Sequence, residues 1–244
     1  MKKIENICYG KAQHPEQYLD IYLPDCDSFK VFIYMHGGGI EMGDKQGGYD
    51  SVANYLTEQG YCFVSINYRM YPQAVYPEFI RDCAEAVGWV YKNISEYGNC
   101  EGIYIGGSSA GGYLSMMLCF DKKYLAPYKI PEGVIKGYVH DAGQPTTHFN
   151  VLRERGLDSR LVIVDEAAPI YYIGREKEYP PMLFIVSDND MQNRYEQTQL
   201  VLSTMRHFGY DEDKIDYKLM HGTHCHYTRT EEFGKMICEF LHKF

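Results

Sequence analysis

Short apolar runs with strand character recur along the whole chain, and segments with helical periodicity separate most of them. The central runs are apolar at every position, which is typical of strands covered on both faces. Strands that alternate with helices usually pair in parallel through right-handed crossovers. This pattern therefore predicts an α/β fold; the apolar runs are residues 18–23, 31–35, 62–66, 103–105, 134–139, 183–186 and 215–219.

The spacing of the runs also predicts how the sheet is built. The first two runs follow each other without an intervening helix, which predicts an antiparallel hairpin at one edge of the sheet. Elsewhere we expect a doubly wound, mostly parallel sheet of about eight strands flanked by helices. The predicted helices cover residues 49–58, 77–97, 109–120, 193–208 and 229–244.

The length of the chain favours one folding unit. A chain of 244 residues buries enough apolar surface for a complete core without disulfides or metals. We therefore expect a single domain over residues 1–244. The segment 144–164 has no clear strand and mixes charged with apolar residues, so it is the candidate for a small lid.

The net charge and the N-terminal sequence limit which binding partners and which location we expect for the protein. The net charge of -9 and the lack of a basic run argue against nucleic-acid binding. Glu5 and Asn6 interrupt any signal-peptide core, and the apolar runs are shorter than the about 20 residues of a membrane span. We therefore expect a cytoplasmic protein without a membrane partner. Whether it forms a homo-oligomer stays open.

The most specific motif is a G-x-S-x-G sequence, Gly107 to Gly111, between an apolar strand and a predicted helix. A sharp turn there lifts the hydroxyl of Ser109 above the sheet, and only glycine fits the crowded flanking positions. Ser109 is therefore the candidate nucleophile. The N–H of Ala110, at the helix N-terminus, is placed to stabilise an oxyanion. The alternative is an ordinary turn rich in Gly and Ser.

A second motif, His36 followed by Gly37, Gly38 and Gly39, comes directly after a predicted strand. Glycines allow the backbone to approach a substrate, so the N–H groups of Gly38 and Gly39 are candidate oxyanion donors. The alternative of a phosphate-binding P-loop requires a Lys-Ser or Lys-Thr pair, which does not follow here. His36 itself is expected to brace the loop.

These two motifs, in this order and separation, resemble the esterase and lipase branch of the α/β-hydrolase fold with an HGGG oxyanion loop. Asn67-Tyr68-Arg69 and the Pro77 and Asp82 pair resemble the same branch. Only about thirty residues precede the HGGG motif, where larger members carry a helical cap. The resemblance is therefore closest to small esterases without a cap.

The resemblance implies an acid after the next-to-last core strand and a histidine after the last one. It places the acid at Asp190, with Asp188 as the alternative, and the histidine at His224, with His226 as the alternative. A metal site built from His221, His224, Cys225 and His226 is the competing interpretation, and a serine elbow would then be unexplained. We expect no metal and no cofactor.

The sequence thus leads to a serine hydrolase that cleaves carboxylic esters of small molecules through an acyl-enzyme. Short-chain acyl or acetyl esters, including those of sugars, are the first expectation. A feruloyl esterase and a kynurenine formamidase-like amide hydrolase are the alternatives. A hydrolase-fold protein that binds a ligand without catalysis is the alternative from another class.

Overall fold

Alternate side chains of the central strands point into two separate apolar cores, one on each face of the sheet. In the strand Ser28–Met35, Val31, Ile33 and Met35 enter one core, whereas Phe32 and Tyr34 enter the other. This is why the run is apolar at every position, as the sequence predicts. The protein is described by a computed structural model that covers residues 1–11 and 14–244.

The described residues form eight strands and six α-helices. The first half of the chain contains β1 (Lys2–Cys8), β2 (Tyr18–Leu23), β3 (Ser28–Met35), α1 (Asp50–Glu58), β4 (Cys62–Ile66), α2 (Glu78–Asn93), β5 (Asn99–Ser108) and α3 (Ala110–Phe120). The second half contains β6 (Ile135–Asp141), α4 (Phe149–Glu154), β7 (Met182–Asn189), α5 (Arg194–His207), β8 (Ile215–Thr223) and α6 (Glu231–Lys243).

The strands form one sheet in the order β1-β2-β4-β3-β5-β6-β7-β8. All neighbours from β4 to β8 pair in parallel, and β2 pairs antiparallel with both β1 and β4. Helices α2, α3 and α5 supply the core on one face, and α1 and α6 supply the core on the other. The predicted doubly wound, mostly parallel sheet of eight strands is confirmed.

The predicted hairpin between residues 18–23 and 31–35 is wrong. The strand β4 lies between β2 and β3, because the crossover through α1 returns the chain to that side of β3. The antiparallel edge hairpin is formed instead by β1 and β2. The sequence KKIENIC of β1 is half exposed and charged, which is how edge strands avoid pairing with other chains, so it lacks the apolar signal of a strand.

The segment 144–164 covers one end of the sheet and is buried in its first half. It contains the short helix α4, while several apolar side chains of its second half are exposed: Leu157, Leu161, Val162 and Val164. Among the described residues, no helix is both long enough and apolar enough to cross a bilayer.

The core also holds histidines that are neutral because they are buried. His140, near the end of β6, packs against Phe120 and Phe184, and burial lowers its pKa to about 3. Burial likewise lowers the pKa of His36 to about 4. Both histidines are protonated in the unfolded chain below about pH 6.5. The unfolded state then binds more protons, so the stability of the fold falls as the pH falls below that value.

Replacement of His140 by Gln tests this linkage. The loss of unfolding free energy between pH 7 and pH 5 should be smaller in His140→Gln than in the wild type by about 2 kcal/mol, because one buried group no longer titrates. Urea unfolding at the two pH values measures the difference. His242→Gln is the matched control, because His242 lies exposed near the end of α6.

The variants must be compared with one another because a second buried group, Asp141, changes the stability with pH in the opposite direction. Burial raises the pKa of Asp141 to about 6, so its contribution to stability increases as the pH falls from 6 towards 4. This contribution is common to all three proteins and cancels in the difference. Equal losses in His140→Gln and the wild type would contradict the assignment of His140.

Candidate active site

The residues singled out in the sequence meet at the carboxyl ends of the parallel strands. Ser109 lies between β5 and α3, with a φ of 57°, in the left-handed region that non-glycine residues rarely adopt. Its N–H donates to the carbonyl oxygen of Asp141 at the end of β6 (2.8 Å), and its own carbonyl oxygen accepts from the N–H of Tyr113. The turn is therefore held at both ends, and the hydroxyl faces the cleft above the sheet.

Both glycines that flank Ser109 are required by packing. A Cβ atom at Gly107 would lie 2.5 Å from the carbonyl oxygen of Met35 and 2.6 Å from the carbonyl carbon of Gly111. A Cβ atom at Gly111 would overlap the same Met35 oxygen. These positions admit no larger residue without movement of β3 or α3, which is the physical reason for the G-x-S-x-G spacing.

His224, which follows β8, connects Ser109 to Asp190. The hydroxyl of Ser109 donates to Nε2 of His224 (2.8 Å), and Nδ1 of His224 donates to Oδ1 of Asp190 (2.5 Å). The Asp190 side chain is buried and also accepts from the N–H groups of Met191 (2.7 Å) and Ser187 (3.3 Å). The arrangement has the geometry of a Ser-His-Asp triad, built from three separate loops.

Asp190 is held in its charged form. Burial opposes the charge, but the hydrogen bonds from His224 and from the backbone N–H groups of Met191 and Ser187 outweigh it and lower the pKa of Asp190. A carboxylate in this position fixes the imidazole so that Nε2 is free to accept the serine proton.

Asp188 and His226, the two alternatives that the sequence left open, make other contacts. Asp188 binds Nδ1 of His221 (2.7 Å) and accepts from the N–H of Gly222, and both side chains are exposed. His226 donates through Nδ1 to the carbonyl oxygen of Thr223 (2.8 Å). Neither Asp188 nor His226 is hydrogen-bonded to Ser109 or His224, so the geometry favours the first choices, Asp190 and His224.

The three histidines of this loop do not converge. His221, His224 and His226 bind Asp188, Asp190 and a backbone carbonyl respectively. Within the described part of the chain, no group of three or more His, Cys, Asp or Glu residues is arranged to hold a metal ion.

The glycine loop after β3 lies beside Ser109. Gly38 and Gly39 have positive φ values of 118° and 67°, and the carbonyl oxygen of Gly38 accepts from the N–H groups of Glu41 and Met42. Within residues 1–11 and 14–244, the N–H groups of Gly38, Gly39 and Ala110 donate to no other backbone group. These donors are therefore free for an oxyanion.

His36 supports this loop, as expected. Its Nδ1 donates to the carbonyl oxygen of Gly37 (2.7 Å), and its ring stacks on Tyr68 with centroids 4.5 Å apart. The hydroxyl of Tyr68 in turn donates to the carbonyl oxygen of His36 (2.8 Å). The imidazole of His36 thus fixes the backbone of the glycine loop rather than facing Ser109.

A cleft of about 720 Å³ opens above Ser109 and His224. The glycine loop lines it. The other side chains along the cleft are of two kinds, apolar ones that include Met42, Tyr49, Phe149 and Met191, and polar ones that include Asp44, His226, Thr228 and Arg229. The cleft therefore offers both apolar and polar surface next to the serine.

The BD-FAE family model matches residues 19–151, just over half of the chain. The chain belongs to the BD-FAE family. The match includes the glycine loop and Ser109, whereas Asp190 and His224 lie beyond it.

Curated relatives of this BD-FAE chain include two proteins of Mycobacterium tuberculosis. The probable carboxylic ester hydrolase LipM is 40% identical over 114 residues, which are 45% of this chain and 26% of LipM. The esterase LipC is 28% identical over 224 residues, which are 82% of this chain and 54% of LipC. The chain thus spans about a quarter to a half of the length of these relatives.

Solved structures share the fold over nearly the whole chain. A truncated carbohydrate esterase from gut microbiota superposes with a TM-score of 0.80 at 21% identity, covering 100% of this chain and 96% of that one. Esterase B from Lactobacillus rhamnosis, inhibited by a tributyrin phosphonate, superposes with a TM-score of 0.81 at 18% identity, covering 99% and 85%. The predicted α/β-hydrolase fold is confirmed.

One charged residue beside Ser109, Asp141, was not predicted from the sequence. Asp141 is fully buried at the end of β6, next to Ser108 in the register of the sheet. Its carboxylate accepts from the hydroxyl of Tyr227 (2.5 Å). The only sequence signal is an aspartate that closes an apolar strand, and the sequence does not reveal that this strand lies directly beside β5.

Proposed function

We propose that this protein is a serine hydrolase that cleaves carboxylic esters through an acyl-enzyme. The observation that carries the proposal is the unbroken chain of hydrogen bonds from Ser109 through His224 to Asp190. In this proposal Ser109 is the nucleophile, His224 the general base and then the general acid, and Asp190 the carboxylate that orients His224.

The reaction begins when Nε2 of His224 takes the proton of Ser109 while Oγ attacks the ester carbonyl. The negative charge that develops on the carbonyl oxygen is stabilised by the N–H groups of Gly38, Gly39 and Ala110. His224 then gives its proton to the leaving alcohol, and water, activated by His224, releases the acid from Ser109. The proton that His224 takes from this water returns to Oγ of Ser109 as the acyl–oxygen bond breaks, so the enzyme is restored.

The relatives support this chemistry. LipM is described as a probable carboxylic ester hydrolase and LipC as an esterase. The structural relatives include a carbohydrate esterase and an esterase inhibited by a tributyrin phosphonate. We carry over from them the class of bond that is cleaved, the carboxylic ester.

For the substrate we propose a short-chain acyl ester, with acetyl esters of a polar alcohol such as a sugar first. The apolar side chains Met42, Phe149 and Met191 suit a small acyl group. Asp44, Thr228 and Arg229 along the same cleft offer hydrogen bonds to hydroxyl groups. The similarity in fold to a carbohydrate esterase agrees with this choice.

A panel of esters tests the function with the wild-type protein. We expect hydrolysis of p-nitrophenyl acetate, with a kcat/KM at least about tenfold above that for p-nitrophenyl octanoate, because a cleft fitted to a short acyl group discriminates against added methylene groups. Acetylated xylose and a feruloyl ester are included, with release of acetate and ferulate as the measurements.

The panel also separates the alternatives. A preference for the feruloyl ester, or cleavage of N-formylkynurenine without ester hydrolysis, would replace the proposed substrate class. Absence of turnover with every member of the panel, in a protein with a cooperative unfolding transition, would support a ligand-binding role and contradict the proposed hydrolase.

A further inference from the structure

Three charged side chains are buried around His224 in the described part of the chain. Asp190 and Asp141 are carboxylates, and Arg194, at the first position of α5, is a guanidinium that is only 4% exposed. Arg194 donates to the carbonyl oxygen of Ala142 and forms no ion pair with a carboxylate among the described residues. Asp190 belongs to the proposed triad, so Asp141 is the buried acid whose role is unassigned.

Asp141 is tied to the elbow through its backbone, and Tyr227 holds its side chain. Its carbonyl oxygen accepts the N–H of Ser109 (2.8 Å). Oδ1 accepts from the hydroxyl of Tyr227 (2.5 Å). Ser108, whose hydroxyl accepts from Tyr34 (2.9 Å), lies beside Asp141 in the register of the sheet. The hydrogen bond from Tyr227 favours the charged form of the Asp141 carboxylate.

The side chain of Cys225 lies between this carboxylate and the triad. Its sulfur is 3.9 Å from Oδ2 of Asp141 and 3.6 Å from Nε2 of His224. The atom of His224 that receives the serine proton and the Asp141 carboxylate thus contact the same sulfur atom. Asp141 is fully buried, so its charge interacts with its neighbours more strongly than a charge at the surface does.

Proton transfer separates charge inside the site. When Nε2 of His224 takes the proton of Ser109, the imidazolium ring gains a positive charge, and the negative charge moves to the oxyanion. Asp190, which is hydrogen-bonded to Nδ1, is one buried carboxylate next to that positive charge, and Asp141 is a second one. Arg194 forms no ion pair with either carboxylate among the described residues, so both remain available to stabilise the imidazolium.

We propose that Asp141 is a positioning residue for the proposed hydrolysis, a second buried carboxylate that stabilises the imidazolium form of His224 during proton transfer. This inference rests on the proposed function of Ser109 and His224. Asp141 takes no proton in the reaction; the proton moves from Oγ of Ser109 to Nε2 of His224 and on to the leaving alcohol.

The ionisation of Asp141 falls in the range where the enzyme would work. Burial raises the pKa of Asp141 to about 6, against hydrogen bonds from Ser108 and Tyr227 that lower it. The titratable and charged groups that face it come from β3, from the loop between β7 and α5, from α5 and from the loop after β8: Tyr34, Asp190, Arg194, His224, Cys225 and Tyr227.

The test is the pH profile of kcat/KM for p-nitrophenyl acetate in Asp141→Asn. Without the negative charge of Asp141 the imidazolium form of His224 is less stable, so the acid limb of the profile should move down by about half a pH unit to one unit. The plateau should fall by about tenfold, because the imidazolium is less stable. A purely structural role of Asp141 would lower the plateau and leave the limb in place.

Tyr227→Phe moves the profile in the opposite direction. It removes a donor to Oδ1, so Asp141 takes up a proton more readily and full activity should begin to decline at higher pH than in the wild type. Tyr104→Phe is the matched control, because Tyr104 is a buried tyrosine of β5 whose hydroxyl faces Leu241. The acid limb of the pH profile of this variant should coincide with that of the wild type. The Tyr227 variant keeps the test decisive if Asp141→Asn does not fold.

The rate of inactivation by a fluorophosphonate gives the same profile without a choice of ester. Acid limbs that coincide with the wild type in both Asp141→Asn and Tyr227→Phe would overturn the inference. Ser109→Ala, measured alongside, separates this failure from a failure of the proposed function, since retained hydrolysis in that variant would contradict the function itself.

Discussion

Ser109→Ala is expected to lower kcat for ester hydrolysis by about 10⁶-fold, the loss typical of a removed serine nucleophile. The substitution deletes only Oγ, which donates to His224 at 2.8 Å, and it leaves the positions of Gly107 and Gly111 unchanged. The residual rate would come from the oxyanion donors and from substrate binding. Hydrolysis of p-nitrophenyl acetate under saturating conditions measures the change.

Two controls make this result specific. Ser203→Ala replaces an exposed serine of α5 and should hydrolyse the ester at the wild-type rate. A fluorophosphonate should form an adduct that mass spectrometry locates on Ser109, and the Ser109→Ala variant should form none. Wild-type turnover in Ser109→Ala, or an adduct on a different residue, would sink the assignment of the nucleophile.

Asp190→Asn is expected to lower kcat by about 10⁴-fold while the fold is retained. The amide keeps the shape of the side chain but presents a donor to Nδ1 of His224, so the imidazole adopts the wrong tautomer and Nε2 no longer accepts the serine proton. The measurement is kcat for p-nitrophenyl acetate, with circular dichroism to verify that the variant is folded.

Asp188→Asn is the matched control, because Asp188 lies two residues before Asp190, at the end of β7. Its partner His221 is exposed, and exposed ion pairs contribute little, so its kcat should stay within about fivefold of the wild type. A larger loss in Asp188→Asn than in Asp190→Asn would exchange the roles of the two carboxylates.

The inner strands of the parallel sheet were predictable because they are covered on both faces, so their central residues are apolar. The edge formed by β1 was not predictable. The strand β1 is charged and half exposed, so nothing in its composition distinguishes it from a loop. The pairing of β2 with β4 depends on the side of β3 on which the crossover through α1 places β4, and the sequence does not show that side.

The turn at Ser109 and the glycine loop were predictable because steric constraints act locally. A left-handed serine between two crowded glycines requires a fixed spacing of residue types, and the sequence displays it. The aspartate that binds His224 was harder to choose, because Asp188 and Asp190 are only two residues apart, at the end of β7. Only the orientation of each side chain decides which of them binds His224.

By itself, the sequence determined the type of sheet and the elbow at Ser109, since these depend on local periodicity and on glycine at fixed spacing. The tertiary structure alone decided which histidine contacts Ser109 and that Asp141 lies beside the elbow. Those contacts join residues up to 115 positions apart, and they form only when β5, β6, β7 and β8 are aligned at one edge of the sheet.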